Sequence, residues 1–286
     1  MDPAPAEPAP ALPEPAPAEP GAPQGVPHPS GTGTSYGGRA TGPAALITLP
    51  EDPAYPVPAP PENENLPEEV DALAPRQDNL ICDPVDKPGM IAFAELLSDH
   101  YGRAAYSTSR SCINLKSDHY DGRALDWSLN AHDPMDRRIG DAVVTWLTDN
   151  DGEMAHRFGI QSIIWNHRVW NPWNNQWYGY VGQSAHTDHI HFSFTWDGAM
   201  MRTSWWTGIP VAEPDHGPCS VVAGQYAAIP QGPRLEVCPT GMVAPPETGY
   251  TRLRMGESGP GLSLVQPLLE VEQTGVFDPE TREALI

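Results

Sequence analysis

The chain has 286 residues, enough for one or two domains. It carries 37 acidic residues against 16 basic ones, a net charge of −21, which argues against nucleic-acid partners and anionic membrane surfaces. No apolar run approaches the roughly 18 residues of a membrane-spanning helix, so no membrane partner is expected.

Of the 35 prolines, 11 lie within the first 30 residues, where Pro3–Pro8 and Pro15–Pro20 spell the same six residues. Such a segment has little apolar surface to offset the entropy of ordering, so a disordered Pro/Ala/Glu-rich leader is expected over residues 1–78. The opening Met1-Asp2-Pro3 has neither the basic start nor the apolar centre of a signal peptide.

The text changes at Asn79. Ile91, Ala94, Leu97 and Tyr101, with Phe93 and Leu96 beside them, predict a helix from Pro88 to Tyr101, with Pro in its first turn and Gly102 as its stop. A short strand is expected over Arg123–Ser128, with Ala124, Asp126 and Ser128 on one face and Leu125 and Trp127 on the other. Ile139, Val143, Trp146 and Leu147 predict a second helix from Asp136 to Asp149, ended by Asn150-Asp151-Gly152. Ile160–Trp165 reads as a strand. Ile190–Trp196 alternates, with Ile190, Phe192, Phe194 and Trp196 on one face and His191, Ser193 and Thr195 on the other. Trp165–Tyr180 is dense in Trp and Asn. It reads either as the lining of a substrate groove, beginning with Trp165, or as a loop pinned by aromatic packing.

The four cysteines contain no Cys-x-x-Cys pair and read as disulfides of an exported protein, Cys82–Cys112 and Cys219–Cys238 being the simplest pairing. The expected location is secreted or cell-wall associated.

The chemistry concentrates in two places. In Ser117-Asp118-His119-Tyr120-Asp121-Gly122-Arg123-Ala124-Leu125-Asp126, a turn and a strand can deliver His119 and Asp126 to one metal ion, with Gly122 reversing the chain. His186-Thr187-Asp188-His189-Ile190-His191 can supply a third ligand. His189 and His191 share a strand face, so one can bind Zn2+ while the other stands near the bound water.

Ser-x-His-x-x-Gly-x-Ala-x-Asp followed by His-x-His resembles the signature of the zinc D-Ala-D-Ala carboxypeptidases and their relatives, a group that includes lysostaphin-type enzymes and the hedgehog signalling domain. Cys82-Asp83-Pro84, Lys87-Pro88-Gly89, Ile164-Trp165-Asn166 and Asp188–Phe194 look like a family of secreted actinobacterial proteins with this domain; that likeness spans about Asn79 to Pro239. The resemblance implies an α+β fold, a small antiparallel sheet flanked by helices. It implies zinc held by His119, Asp126 and His191, with Asp188 or His189 as general base. Arg110 would hold a substrate carboxylate or stabilise an oxyanion. Ser117 would contact substrate or orient His119, and His186 would contact substrate.

Leu253–Pro260 and Thr274–Leu285 resemble the first half of a three-helix peptidoglycan-binding module. The expected domains are therefore the leader, a zinc peptidase-like domain at 79–240, a linker at 241–250 and a partial wall-binding module at 251–286. The expected function is zinc-dependent hydrolysis of an amide bond in peptidoglycan peptides by a monomer. The competing readings are a non-catalytic wall-binding protein that keeps a structural zinc site, and a hydrolase of some other peptide.

Overall fold

The computed structural model describes residues 39–113, 117–182, 184–220, 226–238, 255–258, 262–269 and 271–285. The repeats at Pro3–Pro8 and Pro15–Pro20 and the expected linker at 241–250 lie outside the described residues.

The fold is α+β. Seven strands form one antiparallel sheet: β1 (Arg39–Pro43), β2 (Tyr106–Ser107), β3 (Ala124–Ser128), β4 (Ile160–Trp165), β5 (Arg168–Asn171), β6 (Gln176–Val181) and β7 (His189–Phe194). Their order across the sheet is β1-β6-β5-β4-β7-β3-β2. Two helices, α1 (Pro88–Tyr101) and α2 (Pro134–Phe158), supply most of the core against one face. Short helical turns follow at α3 (Trp196–Ala199) and α4 (Ser204–Thr207).

The expected elements of the central segment are present, with differences at their ends. Helix α1 has the predicted bounds and closes on Gly102 in the left-handed conformation (φ 66°). Its buried stripe is Met90, Phe93, Ala94, Leu97 and Tyr101 rather than one centred on Ile91. Phe93 makes edge contacts with Phe158, Phe192 and Phe194 at 4.8, 5.2 and 5.4 Å, tying α1 to the sheet and to the end of α2. Helix α2 starts at an Asp133 cap, whose carboxylate accepts from the backbone N–H groups of Met135 and Asp136. The predicted stop is a break rather than an end. Asp149–Gly152 leave helical geometry, and helix then resumes to Phe158, where a buried face again meets the core. Strand β7 ends at Phe194, and Trp196 begins α3 instead of extending the strand.

The disordered leader expected through residue 78 is corrected for residues 39–78. β1 pairs with β6, and the segment behind it is held by the domain's own polar groups. Leu49 N–H donates to Asp141 (3.1 Å), Ser204 N–H donates to Asp71 (3.0 Å), and Trp173 Nε1–H donates to the Ala74 carbonyl (2.9 Å). The guanidinium of Arg157 reaches the carbonyls of Pro67 and Glu69. A Pro-rich extended segment has no periodicity to betray such an attachment, because its backbone is satisfied by side chains far away in sequence.

Both predicted disulfides are present, Cys82–Cys112 and Cys219–Cys238, and they suit an oxidising compartment. Among the described residues no helix is long and apolar enough to cross a membrane. Near the C-terminus, α5 (Leu262–Val265) runs into a turn at Gln266–Leu269 that accommodates Pro267. Asp278 caps α6 (Pro279–Ala284) through Thr281 N–H at 2.8 Å, as the Asp-Pro pair suggested. The amide of Gln266 is fully buried and bonds Thr274, Val276 and Thr281, while its oxygen accepts from Gly275 N–H.

The turn into β3 rests on Arg123, whose side chain is wholly buried. It binds Asp121 at 2.8 Å, Asp118 at 3.1 Å and the Phe194 carbonyl at 2.7 Å, and its guanidinium lies 5.1 Å from the Trp196 ring centroid. Removing one partner of a buried ion pair leaves the others uncompensated. Arg123→Met is therefore expected to lower stability by about 3–5 kcal/mol, read from urea unfolding; a loss below about 1 kcal/mol would show that the pairing is solvated.

Candidate metal centre

Strand pairing builds the site. In the antiparallel ladder Asp126 of β3 stands directly opposite His191 of β7, and Leu125 opposite Phe192. Alternation then separates two faces. Leu125, Trp127, Ile190 and Phe192 enter the helix-side core, while Asp126, His189 and His191 share the other face. His119 reaches that face from a single helical turn, Asp118–Tyr120, immediately before the reversal into β3. Gly122 makes the reversal with φ 73°, and a Cβ there would lie 2.0 Å from the Val85 carbonyl oxygen, so only glycine fits.

His119, Asp126 and His191 each offer one ligand atom within 4.8 Å of the others. Their contacts converge on a single oxygen. Asp126 Oδ1 lies 2.8 Å from His191 Nδ1, 3.3 Å from His119 Nε2 and 3.5 Å from His189 Nε2. Its second oxygen, Oδ2, accepts from Arg110. Burial opposes ionisation of Asp126, but hydrogen bonds and positive charge from His119 and His191 outweigh it and hold the carboxyl well below its usual range.

The surroundings orient the imidazoles. His119 Nδ1–H donates to the Thr108 carbonyl at 2.5 Å, which turns Nε2 towards Asp126. Ser193 Oγ lies 3.0 Å from His191 Nε2, leaving Nδ1 for the centre. His189 Nδ1–H donates to Asp188 at 2.9 Å, so its Nε2 faces Asp126. Two imidazole nitrogens and a carboxylate oxygen, with their outer nitrogens bonded, form a donor set suited to zinc.

The remaining predicted residues fall differently. Arg110 stands at the rim with its side chain about half exposed, and its backbone N–H bonds the His119 carbonyl at 3.0 Å. Asp188 is exposed and reaches the site only through His189. Ser117 is half-buried and accepts from Tyr120 N–H through its carbonyl; its hydroxyl makes no cap. His186 is buried behind the site, its ring 4.8 Å from that of His189 and 5.8 Å from that of His191. Burial, and then the positive charge of His191 and His189, push its pKa down to about 3, so it is neutral at neutral pH. Trp165 is corrected: it does not line this site. Its parity puts it on the helix side, where the absence of a side chain at Gly140 makes room for the ring and its Nε1–H donates to Asp141 at 3.0 Å.

A family model described as VldE, C-terminal domain, matches residues 84–191. That span is less than half of the chain and contains His119, Asp126 and His191. Neither a curated protein nor a solved structure matches the chain.

Two residues that the sequence reading missed support the site from behind. Asp86 accepts from the Thr108 hydroxyl (2.5 Å), from Ser109 N–H (3.0 Å) and from the Ser109 hydroxyl. Burial opposes its ionisation, but those hydrogen bonds hold its carboxyl below the usual range. The clamped segment carries both the carbonyl that orients His119 and the arginine that binds Asp126. Ser193 was visible in the alternation of β7; Asp86 had no signal, because it belongs to a loop that meets Thr108 only in three dimensions.

The expected outcome of metal titration is one zinc per chain, lost in His119→Ala and in Asp126→Ala. Asp86→Ala should weaken zinc binding about 10–100-fold, the usual effect of losing an outer-shell partner, measured by competition with a chromophoric chelator. Unchanged affinity would remove Asp86 from the site.

Proposed function

We propose that the chain is a zinc-dependent peptidase of the D-Ala-D-Ala carboxypeptidase and hedgehog type that cleaves an amide bond in peptidoglycan peptides. The observation that carries this reading is the convergence of His119, Asp126 and His191 on the sheet face away from the helices, with the outer nitrogens of both imidazoles bonded. The motif resemblance over the same residues supports it, as do the disulfides of an exported protein. The C-terminal segment would then serve as a wall-binding module.

His119 Nε2, Asp126 and His191 Nδ1 would hold the ion. A zinc ion bound there supplies Lewis acidity and brings the pKa of a water down to about 7. The chain's own groups do the rest. His189 takes the proton: Asp188 fixes its tautomer through Nδ1, which leaves Nε2 basic and aimed at the centre. Asp188 thereby becomes the orienting partner of the base rather than the base itself. Arg110 keeps further N–H donors beyond the one on Asp126, and they suit a substrate carboxylate or a developing oxyanion at the rim. Buried His186 backs His189 and His191 and keeps water from that side.

One observation favours the non-catalytic alternative. His189 Nε2 is nearly as close to Asp126 as His119 Nε2; it stands outside the trio, and a turn of its ring towards the trio would give the closed four-ligand set of a structural zinc centre.

The two readings separate experimentally. Zinc-loaded protein incubated with purified muropeptides should release products detectable by mass spectrometry, and His119→Ala should release none. His189→Ala is expected to keep zinc while turnover falls about 10²–10⁴-fold, the usual share of a general base. Asp188→Asn should have a smaller effect. Loss of zinc from His189→Ala, together with no product from the wild type, would establish the structural-zinc reading instead.

A further inference from the structure

The tryptophans of the Trp165–Tyr180 segment do not gather at the metal centre. Trp165 is wholly buried and Trp173 is bonded to the N-terminal segment. The cross-strand pair Trp170 and Trp177 lies on the opposite side of the sheet from His191. The register shows this: Ile163 pairs with Trp170, which pairs with Trp177, whereas His191 pairs with the next residue, Ile164.

We propose that the groove between α2 and the β5–β6 hairpin, on the helix side of the sheet, binds one neutral pyranose unit of a glycan. The cavity there measures about 280 Å³ and is lined by Trp170, Asn175 and Trp177 of the hairpin, by Thr145, Thr148 and Asp149 of α2, and along one side by Leu46 and Thr48 of the N-terminal segment. Drug-sized ligands occupy roughly 300–1,000 Å³, so the groove fits a single sugar ring and not a peptide segment or a helix.

The lining has the chemistry of a sugar site. Trp177 is half-buried, which offers an aromatic surface for the C–H face of a pyranose. The Thr148 hydroxyl donates its proton to the Val144 carbonyl at 2.9 Å, so its oxygen is left to accept from a ligand. Asp149 is an acceptor-only group that can take two sugar hydroxyls. Its place in the groove comes from the helix break: Asp149 leaves helical geometry (ψ 163°), and Asn150 and Asp151 follow in the left-handed region at φ 52° and 60°. Asn and Asp adopt that region more readily than other non-glycine residues, so the break is encoded locally and fixes where Asp149 stands. The rim is held rigid: Trp170 Nε1–H donates to Asn175 Oδ1 (3.2 Å), and Asn175 Nδ2–H donates to Asp151 (3.0 Å).

Other ligand classes fit worse. Among the described residues no Lys or Arg lines the groove, and Asp149 repels anions, so phosphates and uronic acids are disfavoured. The hydroxyls and the carboxylate disfavour a purely apolar ligand. Choosing a sugar among the neutral pyranoses rests on the peptidoglycan reading above, which makes the unit N-acetylglucosamine. The glycan would then be gripped on one side of the sheet while the peptide is presented to the other.

The test uses the full chain and three probes: tri-N-acetylglucosamine, cellotriose and the anionic trigalacturonate, titrated by calorimetry and tryptophan fluorescence. Tri-N-acetylglucosamine should saturate the protein, and trigalacturonate should not bind. Trp177→Ala and the exposed Asp149→Ala should each weaken binding about tenfold or more, with near-ultraviolet circular dichroism confirming the fold. His119→Ala should bind the sugar like the wild type. No saturation by either neutral trisaccharide, or binding that survives Asp149→Ala and Trp177→Ala, overturns the site. Binding of cellotriose without tri-N-acetylglucosamine overturns the choice of sugar. Sugar binding without any muropeptide cleavage fails the peptidase reading and leaves the groove standing.

Discussion

Asp126 and His191 face each other across the β3–β7 ladder, and almost everything else in the domain serves to keep them there. An antiparallel pair sets opposed residues roughly 4.5–5.5 Å apart, close enough for two side chains to share one ion. The same pairing sends Leu125 and Phe192 into the core, so a register slip by one residue would bury the carboxylate and expose the apolar face. The hydrophobic effect therefore specifies the geometry of this pair indirectly: the core chooses the register, and the register chooses which polar side chains meet. Phe93 against Phe192 and Phe194 is where this coupling is tightest.

The third member of the cluster needs a different device, because His119 lies before β3 and not within it. Here the chain uses charge and covalent restraint instead of apolar packing. Arg123 gathers Asp118 and Asp121 around a buried guanidinium, which fixes the turn that carries His119. Cys82–Cys112 joins the two loops on either side of α1, and Asp86 clamps the segment whose carbonyl orients the imidazole. A buried cation with paired carboxylates is tolerable only when every partner is present. The paired charges thus hold the turn in one arrangement, which keeps His119 in place.

The two faces of the sheet have distinct chemistry for the same reason. Alternation puts imidazoles and a carboxylate on one face and tryptophans under α2 on the other. The Trp/Asn-rich segment, read from sequence as either groove lining or packing, divides along those lines: Trp165 is core, Trp173 anchors the N-terminal segment and Trp177 lines a groove on the helix side.

Residue order alone determined the α1 span and the two faces of β3 and β7, which follow from periods of 3.6 and 2. It offered His119 and Asp126 as a pair, the His186–His191 run as a source of a third donor, and Cys82–Cys112 with Cys219–Cys238 as the simplest pairing, while the choice of His191 came from the motif resemblance. Three things were settled only by tertiary structure. The first is the attachment of residues 39–78, whose hydrogen bonds go to Asp141, Ser204 and Arg157, far away in sequence. The second is the face on which Trp165 lies: its strand reads Ile-Gln-Ser-Ile-Ile-Trp and does not alternate, so parity gave no direction until β4 paired with β7. The third is the geometry of Asp188 and His189. As sequence they are two adjacent candidate bases, with Asp188 slightly preferred; in space the Asp188 carboxylate bonds Nδ1 of His189, because consecutive residues on a strand point apart and only the imidazole points inward.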